Sequence, residues 1–241
     1  MRYGIFSDIH SNIEALDNVL HALQEDGVDG YVCGGDIVGY GANPKECIDK
    51  IRGLNPIIVC GNHDWAVGGV IETEYFNESA KEAIEWTRRV LSDEYKEYLK
   101  GLKLVYQDED ITLVHATLHS PEMFYYMESI PMARRTLNIL KTSVCFIGHT
   151  HVPVIFTDEE GQIKYLFDPE MEFIEGSKQI VNTGSAGQPR DGDTRACYAI
   201  YDTALKRVHI KRVVYDFRIT QEKILNAGLP EFLALRLAEG K

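Results

Sequence analysis

The sequence predicts an α/β fold in which a parallel sheet is covered by helices, and three observations support this prediction. Short apolar runs alternate with helix-like segments over the first sixty residues, which is typical of parallel strands joined by helical crossovers. Several apolar runs end abruptly in aspartate, asparagine or histidine. The last third of the chain contains runs that alternate apolar and polar residues, a pattern that favours antiparallel strands with one solvated face.

The first sixty residues are predicted to form three strands separated by two helices. The strands lie around residues 3–7, 28–33 and 57–60. Apolar residues recur at helical spacing over residues 12–25, which predicts the first helix. Asn43 and Pro44 supply an N-cap and a proline at the first helical position of the second helix, and Glu46 supplies a capping-box acid.

A helical segment over about residues 65–102 then interrupts the alternation. It either covers the edge of the sheet or acts as a lid beside the site, and the aromatic loop at residues 119–129 presents the same alternatives. Strands are predicted at residues 104–106, 111–115 and 144–147, with a helix at residues 131–141 before the last of them.

The last third of the chain is predicted to be rich in strands. Ile163, Tyr165 and Phe167 alternate with polar residues, and Val208 and Ile210 do so further on. A hairpin turn is expected at residues 158–161, and helices near residues 220–227 and 230–239. Because no repeat or linker separates these elements, residues 1–241 are predicted to form one domain.

Composition limits the classes of function. A net charge of −12 argues against a groove for long nucleic acids, which requires a basic surface. The five cysteines are dispersed and lie mostly in apolar runs, as reduced core residues of an intracellular protein do. Asp8 and His10 interrupt any N-terminal signal peptide, and no run is long enough to span a membrane. These features predict a cytoplasmic protein without a membrane partner.

Seven residues at or near strand ends offer ligands for metal ions. They are Asp8, His10, Asp36, Asn62, His115, His149 and His151. Their carboxylate, imidazole and amide groups suit Mn, Fe, Zn, Co or Ni better than Ca or Mg alone. Seven ligands exceed the requirement of one tetrahedral zinc ion but suit two metal ions that share a carboxylate. With two aspartates such a site keeps a charge of about +2, which attracts a phosphoryl group.

The ordered motifs D-x-H, G-D, G-N-H-D, H and G-H-T-H resemble those of the calcineurin-like metallophosphoesterases, over about residues 3–151. The resemblance implies a four-layer αββα sandwich with two mixed sheets and a helical excursion after the third strand. It also implies two divalent transition-metal ions, manganese being the first choice. One ion would be held by Asp8, His10, Asp36 and His151. The other would be held by the bridging Asp36 together with Asn62, His115 and His149.

The same resemblance implies that His63 faces the substrate as the general acid, with Asp64 as its orienting partner. Proton donation to a departing alkoxide makes this role chemically sensible. An aspartate at position 64 could instead cap a turn. Asn12 is interpreted as a helix start, and His119 is left open between a site residue and a loop residue.

Two further residues are candidates for binding substrate. Arg190 lies in a loop of small residues and either clamps a phosphate or faces solvent. Tyr40 either stacks on a base or packs its loop. His21 and His209 lie on a polar helix face and a wet strand face, so they are interpreted as solvated.

The stretch after Asp36 reads Ile37-Val38-Gly39-Tyr40-Gly41 and lacks the arginine that protein serine/threonine phosphatases of the superfamily carry there. The chain therefore looks more like the small prokaryotic phosphodiesterases and dinucleoside-polyphosphate hydrolases. The expected function is hydrolysis of a small phosphodiester or nucleotide by a metal-bridging hydroxide. The alternatives are a phosphomonoesterase, a protein phosphatase and a non-catalytic metal-binding scaffold, whereas a DNA nuclease is disfavoured by the acidic charge.

Overall fold

The structure is a computed structural model that describes residues 1–167, 169–173 and 176–241. Its strands are β1 (Arg2–Phe6), β2 (Gly30–Cys33), β3 (Ile57–Ile58), β4 (Val105–Gln107), β5 (Thr112–Val114), β6 (Val144–Ile147), β7 (Val154–Glu159), β8 (Gln162–Leu166), β9 (Glu170–Glu172), β10 (Lys178–Asn182), β11 (Ala196–Asp202) and β12 (Arg207–Val213). Its α-helices are α1 (Ile13–Glu25), α2 (Pro44–Leu54), α3 (Asn62–Val67), α4 (Glu78–Val90), α5 (Asp93–Lys100), α6 (Ile130–Ile139), α7 (Phe217–Asn226) and α8 (Glu231–Leu235). Two short 3-10 helices cover Pro121–Met123 and Arg236–Ala238.

The strands form two mixed sheets of six strands each. The first sheet has the order β3-β2-β1-β11-β12-β9, and the second has the order β4-β5-β6-β10-β7-β8. Three neighbouring strands run parallel in each sheet, namely β1 to β3 in the first and β5, β6 and β10 in the second. The remaining pairs are antiparallel. Two mixed sheets were expected, and the structure confirms them.

Three clusters of buried apolar side chains separate four layers. The middle cluster joins the two sheets and includes Tyr3 and Ile5 of β1 and Phe146 of β6. A second cluster joins the first sheet to α1 and α2, and a third joins the second sheet to α6. Because successive side chains of a strand point to opposite faces, each sheet contributes to two clusters. The αββα sandwich is thereby confirmed.

The first helix packs unusually close to the first strand at Gly4. A Cβ atom at this position would lie 2.7 Å from a methyl carbon of Leu23 in α1. Such a distance is far below an ordinary carbon–carbon contact, so any side chain at position 4 would force Leu23 of α1 to move. This close contact fixes α1 over β1, whose C-terminal end leads into Asp8.

The predicted elements agree with the structure except at some boundaries. The strand at residues 144–147 and the hairpin turn are confirmed, and the Gly161 amide donates to Asp158 Oδ1 in that turn. The strand predicted at residues 57–60 is wrong in length, since β3 stops at Ile58. The helical excursion is confirmed, but it begins at Asn62. The predicted G-N-H-D motif therefore forms the first turn of a helix.

Side-chain details correct two further expectations. The second helix does begin at Pro44, but the Asn43 side chain makes no capping hydrogen bond. Tyr165 and Phe167 are 55% and 69% exposed, because β8 lies at the edge of its sheet. The alternation of buried Val208 and Ile210 with more exposed residues in β12 is confirmed.

All five cysteines are buried and unpaired. None of the helices in the described residues combines the length and hydrophobicity needed to cross a lipid bilayer.

Candidate active site

The predicted metal-binding residues follow the C-terminal ends of parallel strands. Asp8 and His10 follow β1, Asp36 follows β2, and His115 follows β5. His149 and His151 follow β6, and Asn62 begins α3 after β3. Since parallel strands end at the same edge of a sheet, these side chains meet in space. Asp36, Asn62, His149 and His151 all line one cleft of about 740 Å³.

Two buried carboxylates lie at the centre of the site. Asp8 and Asp36 are 0% and 1% exposed. His151 Nε2 lies 3.2 Å from Asp8 Oδ1, and His115 Nε2 lies 3.3 Å from Asp36 Oδ2. His10 Nε2 is 3.6 Å from Asp36 Oδ2 and 3.9 Å from Asp8 Oδ1, so it lies between the two carboxylates. Burial of two carboxylates so close together requires compensating positive charge.

Backbone carbonyls fix the orientation of three imidazole rings. The Nδ1 atoms of His10, His115 and His151 lie 3.1, 2.8 and 2.6 Å from the carbonyl oxygens of Val38, Gly34 and Gln188. A carbonyl oxygen only accepts hydrogen bonds, so each Nδ1 carries the hydrogen. In the neutral ring each Nε2 then presents a lone pair toward the carboxylates, which is the arrangement of a metal-ligating histidine.

The donor atoms fit positively charged metal ions. His10 Nε2 and His151 Nε2 are 3.0 Å apart, so in their neutral forms two lone pairs face each other beside a carboxylate. Asn62 Oδ1 and His149 Nε2 are buried and have no hydrogen-bond partner in the part of the chain that the structure describes. Buried polar atoms are costly unless they are satisfied, and a cation would satisfy all four.

Three groups of side chains have ligand atoms that all lie within 4.8 Å of one another. They are Asp8, His10 and His151; Asp36, His115 and His149; and His10, Asp36 and His63. The first two groups correspond to the two ligand sets that the sequence resemblance implies. The third group adds His63, which the sequence resemblance assigns to the substrate and not to a metal ion.

The backbone around the site is strained. Five of the seven predicted ligands have φ between 49° and 66°, so they adopt the left-handed conformation: Asp8, His10, Asp36, His149 and His151. Each such residue costs on the order of 1 kcal/mol or more. Aspartate and histidine tolerate this region better than bulkier residues do. The structure therefore retains conformations that bring side chains together at some cost in stability.

Electrostatic interactions among the residues of the site favour ionised carboxylates. Burial opposes ionisation of Asp36, but the neighbouring His115 and His63 rings outweigh it and hold its pKa well below the usual range. Burial lowers the pKa of His149 to about 3, with a further decrease from His115. For His115 itself, burial lowers the pKa, but Asp36 and Asp8 together raise it to about 9.

His63 and Asp64 lie in the first turn of α3, but they do not form the predicted pair. Asp64 Oδ1 accepts the amides of Ile37 and Val38 at 2.9 and 3.3 Å, and Oδ2 accepts the amide of Gly61 at 3.0 Å. His63 Nδ1 is buried without a hydrogen-bond partner among the described residues. The orienting role of Asp64 is therefore wrong. The Asp64 carboxylate joins the loop after Asp36 to the start of α3.

Known proteins share this sequence over most of its length. A sequence profile described as the calcineurin-like phosphoesterase superfamily domain matches residues 1–206. The chain belongs to the calcineurin-like phosphoesterase superfamily. It is accordingly a hydrolase that acts on phosphoester bonds. This family typically binds divalent metal ions, in agreement with the candidate ligand groups described above.

Individual relatives support the family and the fold. An uncharacterized protein of Methanocaldococcus jannaschii is 39% identical over 242 residues, covering 99% of this chain and 98% of the relative. The crystal structure of a metallophosphoesterase from Sphaerobacter thermophilus is similar with a TM-score of 0.87 and 39% identity, covering 100% of this chain and 99% of that chain. A hypothetical protein from Pyrococcus horikoshii OT3 shares the fold at a TM-score of 0.80 and 20% identity, covering 100% and 98% of the two chains.

The phosphoesterase cleft also contains Tyr40 and Arg190. Tyr40 is only 6% exposed, and its ring lies 4.6 Å from that of His10 and 4.5 Å from that of His63. It therefore packs the loop, and its faces are not free to stack on a base. The Arg190 guanidinium lies 5.6 Å from the centre of the Tyr40 ring, and its Nη2 donates to Gln188 Oε1 at 2.7 Å. Arg190 thus faces the cleft and not bulk solvent.

Other histidines and Asn12 lie outside the candidate metal clusters of the described residues. Asn12 caps α1, since its Oδ1 accepts the Ala15 amide, as the sequence predicted. His21 is exposed and lies beside Glu25, whereas His209 and His119 are half-buried. None of these histidines lies in the metal-ligand groups found in the described part of the chain.

Part of the cleft wall comes from residues that the sequence motifs did not indicate. Tyr75 and Phe76 belong to the segment between α3 and α4, and both line the cleft. Phe76 packs edge-on against His63, with ring centres 5.1 Å apart. Two adjacent aromatic residues in an otherwise acidic stretch were the available signal. The predicted excursion thus borders the site, and its action as a lid stays a prediction.

Proposed function

We propose that this protein hydrolyses small phosphodiesters, including nucleotides, with two divalent transition-metal ions, manganese being the first choice. The observation that carries the proposal is the pair of buried ligand groups around Asp8 and Asp36, in a cleft to which the described residues contribute one arginine, Arg190. We place the protein in the cytoplasm, because its five buried cysteines are all unpaired.

Two sets of residues would hold the ions. Asp8, His10, Asp36 and His151 form the first set, and Asp36, Asn62, His115 and His149 form the second. Asp36 is common to both because its carboxylate lies beside His10 and His115. When bound, the ions would activate a water molecule and neutralise charge on the phosphoryl group. The chain contributes the orientation, since backbone carbonyls fix three of the four imidazole rings.

His63 is the proposed proton donor to the leaving group. It lies between Tyr40 and Phe76 and lines the cleft. Burial lowers its pKa to about 4, so the ring is neutral in the free protein. A negatively charged phosphoryl group beside the ring would favour its protonated form. We therefore expect His63 to gain a proton with the substrate and to donate it to the departing oxygen.

The charges of the cleft favour a diester over a monoester. Arg190 is the only lysine or arginine among the cleft-lining residues of the described chain. A monoester dianion presents three terminal oxygens and gains most from several cationic contacts, whereas a diester presents two oxygens and one charge. Glu72 and Glu122 also line the cleft, so additional negative charge on the substrate meets repulsion there.

A panel of substrates with Mn²⁺ tests this function. The kcat/KM for bis-nitrophenyl phosphate should exceed that for nitrophenyl phosphate and for a phosphopeptide. A dinucleoside tetraphosphate should also be cleaved, but with a lower kcat/KM than bis-nitrophenyl phosphate because Glu72 and Glu122 repel its additional charges. Arg190→Ala should weaken binding most for the more highly charged substrates. A clear preference for the monoester would support the phosphomonoesterase, and a preference for the phosphopeptide would support the protein phosphatase. Either result would overturn the proposal.

A further inference from the structure

The outer part of the cleft differs in character from its floor. The floor carries the predicted metal ligands, whereas the rim is formed by residues from 71–80 and 122–126. We call these two segments the rim. Tyr75 is 98% exposed and Tyr125 is 42% exposed. Neither ring contacts another aromatic ring or forms a hydrogen bond in the part of the chain that the structure describes. Exposed aromatic side chains collected at a cleft indicate a binding surface.

Each segment of the rim contributes one acidic residue to the lining of the cleft. Glu72 belongs to the first rim segment and Glu122 to the second, and both residues line the cleft and are exposed. No salt bridge engages either of them within the described residues. Carboxylates in this position repel a second phosphate group and accept hydrogen bonds from N–H donors. The rim therefore suits a flat group that is not anionic and carries N–H donors.

We infer that the rim binds the nucleobase of a nucleotidic phosphodiester and favours bases with an exocyclic amino group. This inference rests on the proposed function. The part of the substrate that does not react would be bound by Tyr75, Tyr125, Glu72 and Glu122. An aromatic ring stacks on any base, because every base has a π-face. A carboxylate accepts from the amino group of adenine or cytosine, whereas uracil presents a carbonyl oxygen at that position. Adenine is thus favoured over uracil.

The rim residues are separate from the predicted ligands, which makes them suitable for mutation. Tyr126 is a poorer choice, because its ring stacks on that of His149 at 4.1 Å. Phe76 contacts His63, and Phe124 is buried against Trp65. Tyr75 and Tyr125 have no such contact, so their replacement by serine should leave folding and metal content unchanged.

The test measures competitive inhibition of bis-nitrophenyl phosphate hydrolysis with Mn²⁺. The inhibitors are the methyl esters of adenosine 5′-phosphate and uridine 5′-phosphate, with dimethyl phosphate as the reference. All three carry one negative charge, so differences in Ki report on the group at the rim. We expect Ki to rise in the order adenosine, uridine, dimethyl ester. The adenosine and uridine esters should differ by roughly 5- to 100-fold, the range of a good contact to a base edge.

Variants separate stacking from amino-group recognition. Tyr75→Ser and Tyr125→Ser should each raise Ki for both nucleoside esters by about 5- to 100-fold and leave that for dimethyl phosphate unchanged. Glu72→Gln should reduce the difference in Ki between the adenosine and uridine esters. The matched controls are Tyr165→Ser, at a residue 55% exposed on β8, and Glu74→Gln, at a residue within the first rim segment that does not line the cleft.

Each outcome has a distinct meaning. Absence of hydrolysis of any phosphoester would refute the proposed function and the inference with it. Hydrolysis of bis-nitrophenyl phosphate with equal Ki values for the three esters would refute the inference alone. Tighter inhibition by the methyl ester of phosphocholine than by the adenosine ester would also overturn it, because the rim would then select a quaternary ammonium group by cation–π contact.

Discussion

Gly61→Ala should displace the shared carboxylate of the site without straining its own backbone. Gly61 precedes Asn62 and has φ −96° and ψ 173°, a conformation that alanine adopts freely. A Cβ atom there would lie 1.9 Å from Asp36 Oδ1 and 2.5 Å from the Asp36 amide nitrogen. The perturbation is therefore steric, and it is directed at the one residue that both ligand sets share.

The size of the effect follows from this overlap. An ordinary carbon–oxygen contact is about 3.4 Å, so the Asp36 carboxylate or the turn at Gly61 must move by roughly 1.5 Å. Movement of the carboxylate would also break its hydrogen bond from the His63 amide, which is 2.9 Å long. A displacement of ~1 Å in a catalytic group costs on the order of 10²-fold in rate. Overpacking of a buried site costs about 1–3 kcal/mol of stability.

The assay combines kcat/KM for bis-nitrophenyl phosphate, metal ions bound per chain, and Tm with and without Mn²⁺. The control is Gly53→Ala in α2, where an added Cβ meets nothing within 4 Å. This control should keep full activity and gain roughly 0.5–1 kcal/mol, since alanine favours the helix over glycine. If Gly61→Ala binds metal and turns over substrate within twofold of the parent, the position of Asp36 does not govern the site.

Three further predictions concern individual residues of the site. Asp36→Asn should lower the occupancy of both metal sites, whereas His10→Ala should chiefly empty one of them. Elemental analysis and anomalous scattering measure the two occupancies, and equal losses in both variants would contradict a carboxylate shared by the two ions. His63→Asn should keep both ions and lose about 10²–10⁴-fold in kcat for a poor leaving group, but less for nitrophenolate; loss of metal would show that His63 is a ligand, with His119→Asn as the control. In the metal-free protein, burial lowers the pKa of His115, but Asp36 and Asp8 raise it overall from 6.5 to about 9. The protonated His115 therefore contributes to the free energy of unfolding in full below pH 6.5, and this contribution is lost as the pH rises through 9. Because a metal ion must displace that proton, Mn²⁺ affinity should rise between pH 7 and 9 with proton release, by up to about tenfold per pH unit; a pH-independent affinity measured by titration calorimetry would contradict this.

The positions of the ligands could be predicted because each follows a recognisable strand. Apolar runs that end in Asp8, Asp36, His115 and His149 are short and unambiguous, and parallel strands bring their ends to one edge. The boundaries were less predictable. The run at residues 57–60 is apolar throughout, yet β3 ends at Ile58. Beyond it Val59 still donates to the Cys33 carbonyl, and Cys60 turns to the carbonyl of Lys103. The hydrogen bond from Cys60 to Lys103 could not be predicted from the local sequence pattern.

The role of Asp64 was mistaken for a related reason. Adjacency in sequence suggested a pair with His63, but neighbouring residues in the first turn of a helix point in different directions. Asp64 instead accepts amides from Ile37 and Val38, which are 27 and 26 residues away in sequence. These contacts exist only once β2 and α3 are assembled. The rim residue Tyr75 was missed because an exposed tyrosine has no periodic pattern to reveal it.

The orientation of the ligands depends on parts of the chain that carry no recognisable motif. The three carbonyls that orient His10, His115 and His151 belong to residues separated from those rings by 28, 81 and 37 positions. Carbonyl oxygens are present at every residue, so no sequence pattern distinguishes these three. The loop that orients His151 also carries Arg190, and the Asn12 side chain holds that loop by donating to the Gly187 carbonyl at 2.8 Å. Motifs therefore specify which side chains could bind metal and substrate, while backbone packing between distant loops determines how those side chains face one another.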